Sequence, residues 1–361
     1  MSRRGLLRGG MLASGLMVGA PLLAACGADN NNTAPSTGGT PATGGTLGAG
    51  GTLGAGSLRL VWVKNVEFAG SYIADTNGYY KAAGFSSFTL ISGGPTATPV
   101  ETDLVGGKAL FGISTPDLAA SAVVKGGAGV KIIGAQYQKN PFAMLSMASK
   151  PIKTPQDMIG KKIGVAPSGE SIWAAFLKAN HINPQSITKV PVQYDPLPLT
   201  TGTVDGWVAY ITNEPITLRL KGFKVETFLF ADHGYPLVGD VYVVTDKTIR
   251  ERRDAVKAFL RAQIRGWKEA LADPALGVRL AVGTYGKNLG LTVAEQTLES
   301  EAQNSLVLTD DAKKNGLFTI TPKLIAENIA TLKLAGINIT AEQLFDPSVL
   351  TEVYREDPSL V

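Results

Sequence analysis

From residue 58 onward short β-rich runs alternate with stretches of helical spacing, and this alternation confines the chain to an α/β architecture. Residues 58–63, 88–91, 109–113 and 130–137 read as strands, and 143–148 continues the series. Between them 72–83 and 100–105 carry helical spacing, with Gly84 and Gly106-Gly107 placed to end the helices. Ser114-Thr115-Pro116-Asp117 then offers a hydroxyl cap, a proline and an acid for the first turn of another helix. Such an order builds an open, largely parallel sheet whose ligands sit beyond the carboxyl ends of the strands.

A second pattern begins after Pro151. Residues 161–165 form a strand, and Pro167-Ser168-Gly169-Glu170-Ser171 is a small-residue loop opening a helix over 172–179. Residues 190–192, 206–210, 223–230 and 241–245 read as further strands. Beyond Asp246 the chain is mainly helical, with amphipathic spacing over 252–271, 275–285 and 322–335. Helices of this kind can pack across the first sheet.

The first 56 residues are of a different kind. Arg3, Arg4 and Arg8 form a basic start, Gly9 to Ala25 is uncharged and rich in Gly and Ala, and the stretch ends at Cys26, the only cysteine. Leu23-Ala24-Ala25-Cys26 resembles the bacterial lipobox, so residues 1–25 are expected to be a cleaved signal peptide and Cys26 the lipidated residue. The paired arginines also resemble a twin-arginine export signal. Residues 26–56 are Asn, Thr, Pro, Ser, Gly and Ala with the hexamer Gly-Thr-Leu-Gly-Ala-Gly twice, a composition suited to a flexible tether. Together these place the protein on the extracytoplasmic face of a bacterial cell membrane, held by a lipid.

Composition removes several functions. The formal charge is +4, but three of the 34 basic residues lie in the leader, and the rest balance the 30 acidic residues to within one. That balance offers nothing to nucleic acid. One cysteine and two histidines supply neither a disulfide nor an ordinary zinc site. No cofactor and no metal is expected.

Several motifs, in order, carry a family resemblance. Trp62-Val63, Phe68-Ala69-Gly70-Ser71-Tyr72-Ile73-Ala74, Gly78-Tyr79-Tyr80, Gly112-Ile113-Ser114, the run from Ile152 to Val165, Val204-Asp205-Gly206 and Asn213-Glu214-Pro215 are similar to the periplasmic solute-binding proteins for thiamine pyrimidines, riboflavin, sulfonates and nitrate. The resemblance implies the two-lobed type II periplasmic binding protein fold, with one lobe from 57–150 together with 246–361, a second from 151–245, and ligand enclosed in a cleft between them. It also implies a monomeric receptor that delivers a small heterocycle to the permease and ATPase of an ABC importer, and no enzyme activity. A related branch, the eukaryotic thiamine-pyrimidine synthase, needs a cysteine cluster and iron, and no cysteine follows residue 26 here.

Mapped onto the loops after the strands, the family's cleft would be lined by Trp62, Asn65, Phe68, Tyr72, Ser114 and Gln138 from the first lobe. Ser168, Glu170, Trp173, Tyr194, Trp207, Tyr210, Asn213, Glu214 and Tyr235 would line it from the second, with Asp117, Asn140, Phe142 and Asp240 nearby. Three of the four tryptophans are in this set. Stacking adds ~0.5–1.5 kcal/mol per aromatic pair beyond burial, which favours a flat conjugated ligand. Riboflavin is the expected ligand and the thiamine pyrimidine precursor the alternative, followed by an alkanesulfonate or nitrate. A surface lipoprotein with a purely structural role would need the lipobox and tether but not the cleft.

Overall fold

A computed structural model describes residues 53–193 and 195–361. The chain builds two five-stranded sheets. The first holds β1 (Ala55–Arg59), β2 (Ser87–Ile91), β3 (Phe111–Ser114), β4 (Val130–Tyr137) and β10 (Gly239–Thr245), in the order β2-β1-β3-β10-β4. The second holds β5 (Phe142–Met147), β6 (Lys162–Val165), β7 (Thr188–Pro191), β8 (Gly206–Tyr210) and β9 (Val225–Leu229), in the order β7-β6-β8-β5-β9.

Each sheet is parallel except for one inserted strand. In the first, β10 runs antiparallel to β3 and β4; in the second, β5 runs antiparallel to β8 and β9. The cause is the route of the chain. β4 leaves the first sheet at its carboxyl end and feeds β5 directly, and β9 leaves the second in the same way and feeds β10. A strand that enters a sheet from the cleft side must run against strands that end there. The two crossovers, at 138–141 and 230–238, thus form a hinge beside the carboxyl ends of both sheets.

These connections correct the expected lobe boundaries. Residues 142–147 belong to the second sheet and 239–245 to the first, so the chain crosses before 142 and back before 239, rather than at 151 and 246. A β-rich run looks the same in sequence whichever sheet it joins. The tether boundary moves as well, because β1 begins at Ala55 and pairs Gly56 with Phe88. A Cβ at Gly56 would lie 2.5 Å from the Phe88 ring, so this glycine is a packing residue.

One core lies under the first sheet, where Leu58, Leu60, Phe111 and Ile113 pack against the helices Ala69–Thr76 and Arg253–Ala272. These helices cross closely. A Cβ on Gly70 would sit 2.3 Å from the Trp267 ring, and one on Gly266 would sit 2.1 Å from the Gly70 carbonyl oxygen. A second core joins the lobes, with Ile132, Leu332 and Ile337 of the first meeting Ile163, Trp173 and Phe176 of the second. The helix Pro322–Leu334 returns to the first lobe and also packs on the second-lobe helix Glu170–Ala179. The remaining face of the second sheet is covered by a small cluster around Leu145, Leu218 and Trp207.

Candidate functional site

The loop after β1 is held from several sides, most of all by one helix. In the turn Val66–Phe68, Val66 and Phe68 are buried and point into the core, which turns Glu67 the other way. The helix Val293–Val307 grips this turn: Gln296 Oε1 accepts from the Val66 N–H at 2.7 Å, and Gln303 donates to the Val66 carbonyl at 2.9 Å. Gln303 also accepts from the Tyr137 hydroxyl at 2.9 Å, tying the turn to the end of β4. Gln136 of β4 donates to the Glu67 carbonyl at 3.0 Å and to Asp240 Oδ2 at 3.2 Å. Fixed in this way, the Glu67 carboxyl stands near enough to Asp240, at the start of β10, for each to act on the other's ionisation. Asp240 has a φ of 44°, in the left-handed region that an aspartate adopts only when its surroundings hold it there.

Glu299 stands next to this pair. Its carboxylate accepts from Asn65 Nδ2 at 2.6 Å and from Gln296 at 2.7 Å. Burial raises all three acids: Glu67 well above the usual carboxyl range, Asp240 to about 7 and Glu299 to about 8. The charges that act on them are other carboxylates, with no cation to offset them. Across the hinge Tyr210, at the end of β8, feels the same field. Its hydroxyl is raised by burial and then by Asp240, Glu67, Asp117 and Glu214. The two lobes therefore face one another at Tyr210, and the surface between them is rich in acceptors.

The neighbouring cations are engaged elsewhere. Lys139 pairs with Asp232 at 2.8 Å, and Lys64 lies 6.0 Å from the Tyr285 ring centre. Arg59 is buried against Asp103 at 2.8 Å and donates to the carbonyls of Leu60, Ser92 and Thr98, a strut between the loops that follow β1 and β2. Among the described residues, no group of three or more His, Cys, Asp or Glu is placed to hold a metal ion.

The expected site residues separate into three groups. Asn65, Gln138, Tyr210 and Glu214 lie around the hinge; Tyr72, beside Asn65, is fully buried in the first core, which corrects its placement in the cleft. Tyr72 donates to the Asn65 carbonyl at 2.8 Å and stacks on Tyr285 at 4.2 Å, while Gln138 is buried and donates to the Ala135 carbonyl. Tyr210 is half-buried and meets Phe142 edge-on at 4.6 Å, and Trp62 is half-buried against the first core. Glu214 accepts from the Tyr210 N–H at 2.8 Å, and burial raises it to about 7.

A second group belongs to the hydrophobic cores. Phe68, Trp173, Trp207 and Tyr235 are buried there, which corrects their placement in the cleft: a large aromatic near a strand end serves packing as readily as recognition. Trp207 lies over Gly164, where a Cβ would approach it to 2.9 Å. Ser114, also buried, donates to Glu101. A third group faces water, with Glu170 paired to Lys189 at 2.5 Å and Asn213 exposed at the start of the helix Glu214–Leu220. Asn140 supports the crossover, donating to the carbonyls of Tyr235 and Leu237. Tyr194, Cys26, the leader and most of the tether lie outside the described residues, as does the side chain of Ser168.

Sequence reading did not place Glu67, Gln136, Gln296, Glu299 or Gln303 in the site. The available signal was the spacing of Gln296, Glu299, Ser300 and Gln303, which puts four polar groups on one helical face.

This arrangement, two α/β lobes about a hinge with polar groups gathered between them, defines a bilobal ligand-binding protein. The chain belongs to the NMT1/THI5-like family, which matches residues 65–276. It is 28% identical over 229 residues to the riboflavin-binding protein RibY of Chloroflexus aurantiacus, a match that takes in 60% of this chain and 63% of that one. Its fold is that of the periplasmic aliphatic sulphonate-binding protein SsuA from Escherichia coli, with a TM-score of 0.63 and 14% identity over 81% of this chain and 92% of that one. The desulfurization enzyme DSZB has the same fold, at a TM-score of 0.53 and 14% identity over 83% of this chain and 99% of that one. Among the described residues no helix is long and apolar enough to cross a membrane.

Proposed function

We propose that this chain is the lipid-anchored substrate-binding component of an ABC importer, and that it captures riboflavin by closing its lobes over it. The observation that carries the reading is the cleft's excess of acceptors and carboxyls without a cation, around Glu67, Asp240, Glu299 and Tyr210. A sulfonate or nitrate needs cations or N–H donors converging on one point, and here it would meet carboxyl groups. Riboflavin carries no charge, and its imide N–H and ribityl hydroxyls are donors that these acceptors can take. Its three-ring face suits Trp62 and Tyr210, the aromatics of the expected set that are left partly exposed. The relationship to a riboflavin-binding protein points the same way. The relationship to a binding protein supports action by binding rather than by catalysis.

Titration of the chain with riboflavin, the aminopyrimidine precursor, taurine and nitrate, followed by tryptophan fluorescence and thermal shift, tests this directly. Saturable quenching and a raised midpoint with riboflavin are expected, since a ligand that binds only the folded state stabilises it. Trp62→Ala should weaken binding at least about tenfold, ~1.4 kcal/mol. A response confined to the pyrimidine changes the vitamin; a response confined to taurine or nitrate rejects the acid-lined cleft as the determinant.

A further inference from the structure

A cavity of about 670 Å³ opens at the end of the first lobe away from the hinge. It lies where β1 begins at Ala55, just ahead of β4 at Gly129 and at Thr245, the last residue of β10. The hinge is at the other end of these strands, so a molecule held here is separated from the cleft by the length of the sheet. The volume is that of a small-molecule site. Lys247, Arg250 and Arg252 line it, on and after the short helix Asp246–Glu251, with Asp246 the one acid in the lining. Asp246 already faces Lys131 at 3.9 Å, and Glu251 meets Lys247 only at 4.0 Å with both side chains mostly in water, a pair that holds weakly. Arg250 is exposed and has no ion pair among the described residues. Beside these cations Leu104, Val105, Ala109 and Leu110 form an apolar part, with Val105 58% exposed.

We propose that this pocket docks the headgroup of an acidic phospholipid and so seats the base of the first lobe on the membrane. This rests on the reading of the chain as lipid-anchored, but not on what the cleft binds.

Two observations favour a lipid over other anions. The first is where the chain enters the domain: the Leu53 carbonyl accepts from Arg252, and Ala55 lines the pocket itself. A segment with the composition of residues 26–52 spans only roughly 30 Å from the expected anchor at Cys26. That anchor therefore keeps this end of the lobe close to the bilayer, where each Lys or Arg near an acidic surface adds attraction. The second is the joining of cations to exposed apolar side chains. A free phosphate would take the cations and leave Val105 and Leu110 wet, whereas a phospholipid has an acid head and an apolar body to set against both.

The test is calorimetric titration of the full chain with dihexanoyl phosphatidylglycerol, kept below its micelle concentration, at about 50 mM and about 300 mM salt. Dihexanoyl phosphatidylcholine, glycerol 3-phosphate and riboflavin are titrated alongside. The expected result is saturable binding of the phosphatidylglycerol that weakens with salt and is roughly tenfold or more tighter than that of the choline lipid or of glycerol 3-phosphate. Lys247→Ser together with Arg250→Ser, two exposed positions far from the cleft, should remove most of this affinity and leave the riboflavin isotherm as it is. Equal binding of the two lipids, or phosphatidylglycerol binding that survives the double substitution, overturns the proposal while the receptor reading stands. Glycerol 3-phosphate bound as tightly as the lipid also overturns it, and makes the pocket a site for a free phosphoester. Absence of riboflavin binding with the lipid result intact rejects the ligand of the cleft and supports the docking site.

Discussion

Two long helices pack on the first lobe, and they do so with opposite chemistry. The helix Arg253–Ala272 buries Val256, Phe259, Leu260, Ile264 and Trp267, an apolar stripe of ordinary helical spacing. The helix Val293–Val307 buries Gln296, Glu299, Ser300 and Gln303 at the same spacing. The first stabilises by removing apolar surface from water, a non-directional effect that tolerates small shifts. The second holds a backbone turn by hydrogen bonds of 2.7 and 2.9 Å, which depend on position. In this lobe one helix maintains the fold and the other sets where Glu67 stands, so stability and ligand geometry rest on different faces.

Substitutions in the two helices should separate these roles. Trp267→Ala removes a fully buried indole packed on Gly70 and should cost ~3–5 kcal/mol, read from the denaturant midpoint, with ligand affinity little changed where the protein remains folded. Gln303→Ala strands the Val66 carbonyl and the Tyr137 hydroxyl and should cost a smaller ~1–3 kcal/mol. It should nonetheless weaken riboflavin binding more than Trp267→Ala does, because it frees the turn that carries Glu67. If Trp267→Ala proves the more damaging to affinity, the division between the helices is wrong.

The same contrast decides what could be read in advance. The strands and the apolar helix 253–272 were legible because burying apolar side chains leaves a period in the sequence, and the two-lobed fold through the ordered motifs that carry the family resemblance. The helix 293–307 left none on a hydrophobic scale, since its inward face is polar, and Glu67 and Glu299 look in sequence like solvated surface acids. Membership of β5 and β10 in their sheets was hidden for another reason: direction and pairing partner depend on the crossovers at 138–141 and 230–238, which carry no compositional mark. The aromatics misled in part. Trp173, Trp207 and Tyr235 stand near strand ends as cleft residues would, but the cores they fill draw on the same side chains.

The smallest effect at acid pH, and the one that most sharpens the comparison, is expected from Glu299→Gln. Glu299 is raised from the ordinary carboxyl value to about 8, chiefly by burial, so at pH 7 the native protein holds it mainly protonated and a glutamine imitates that state. The unfolded chain titrates the same group near its ordinary value and binds fewer protons between there and about pH 8. Stability supported by a protonated Glu299 is therefore complete below the unfolded value and is lost as pH rises through the folded one. Asp240, raised to about 7, adds to this slope with the same sign. The wild-type midpoint in denaturant should fall from about pH 5 to about pH 8.5, and Glu299→Gln should fall less, so that the two proteins match near pH 5 or below, the variant is already the more stable at pH 7, and the difference is complete above about pH 8. Parallel profiles would mean that Glu299 is hydrated in the native state, and the polar helix would then face water in the cleft rather than a closed interior.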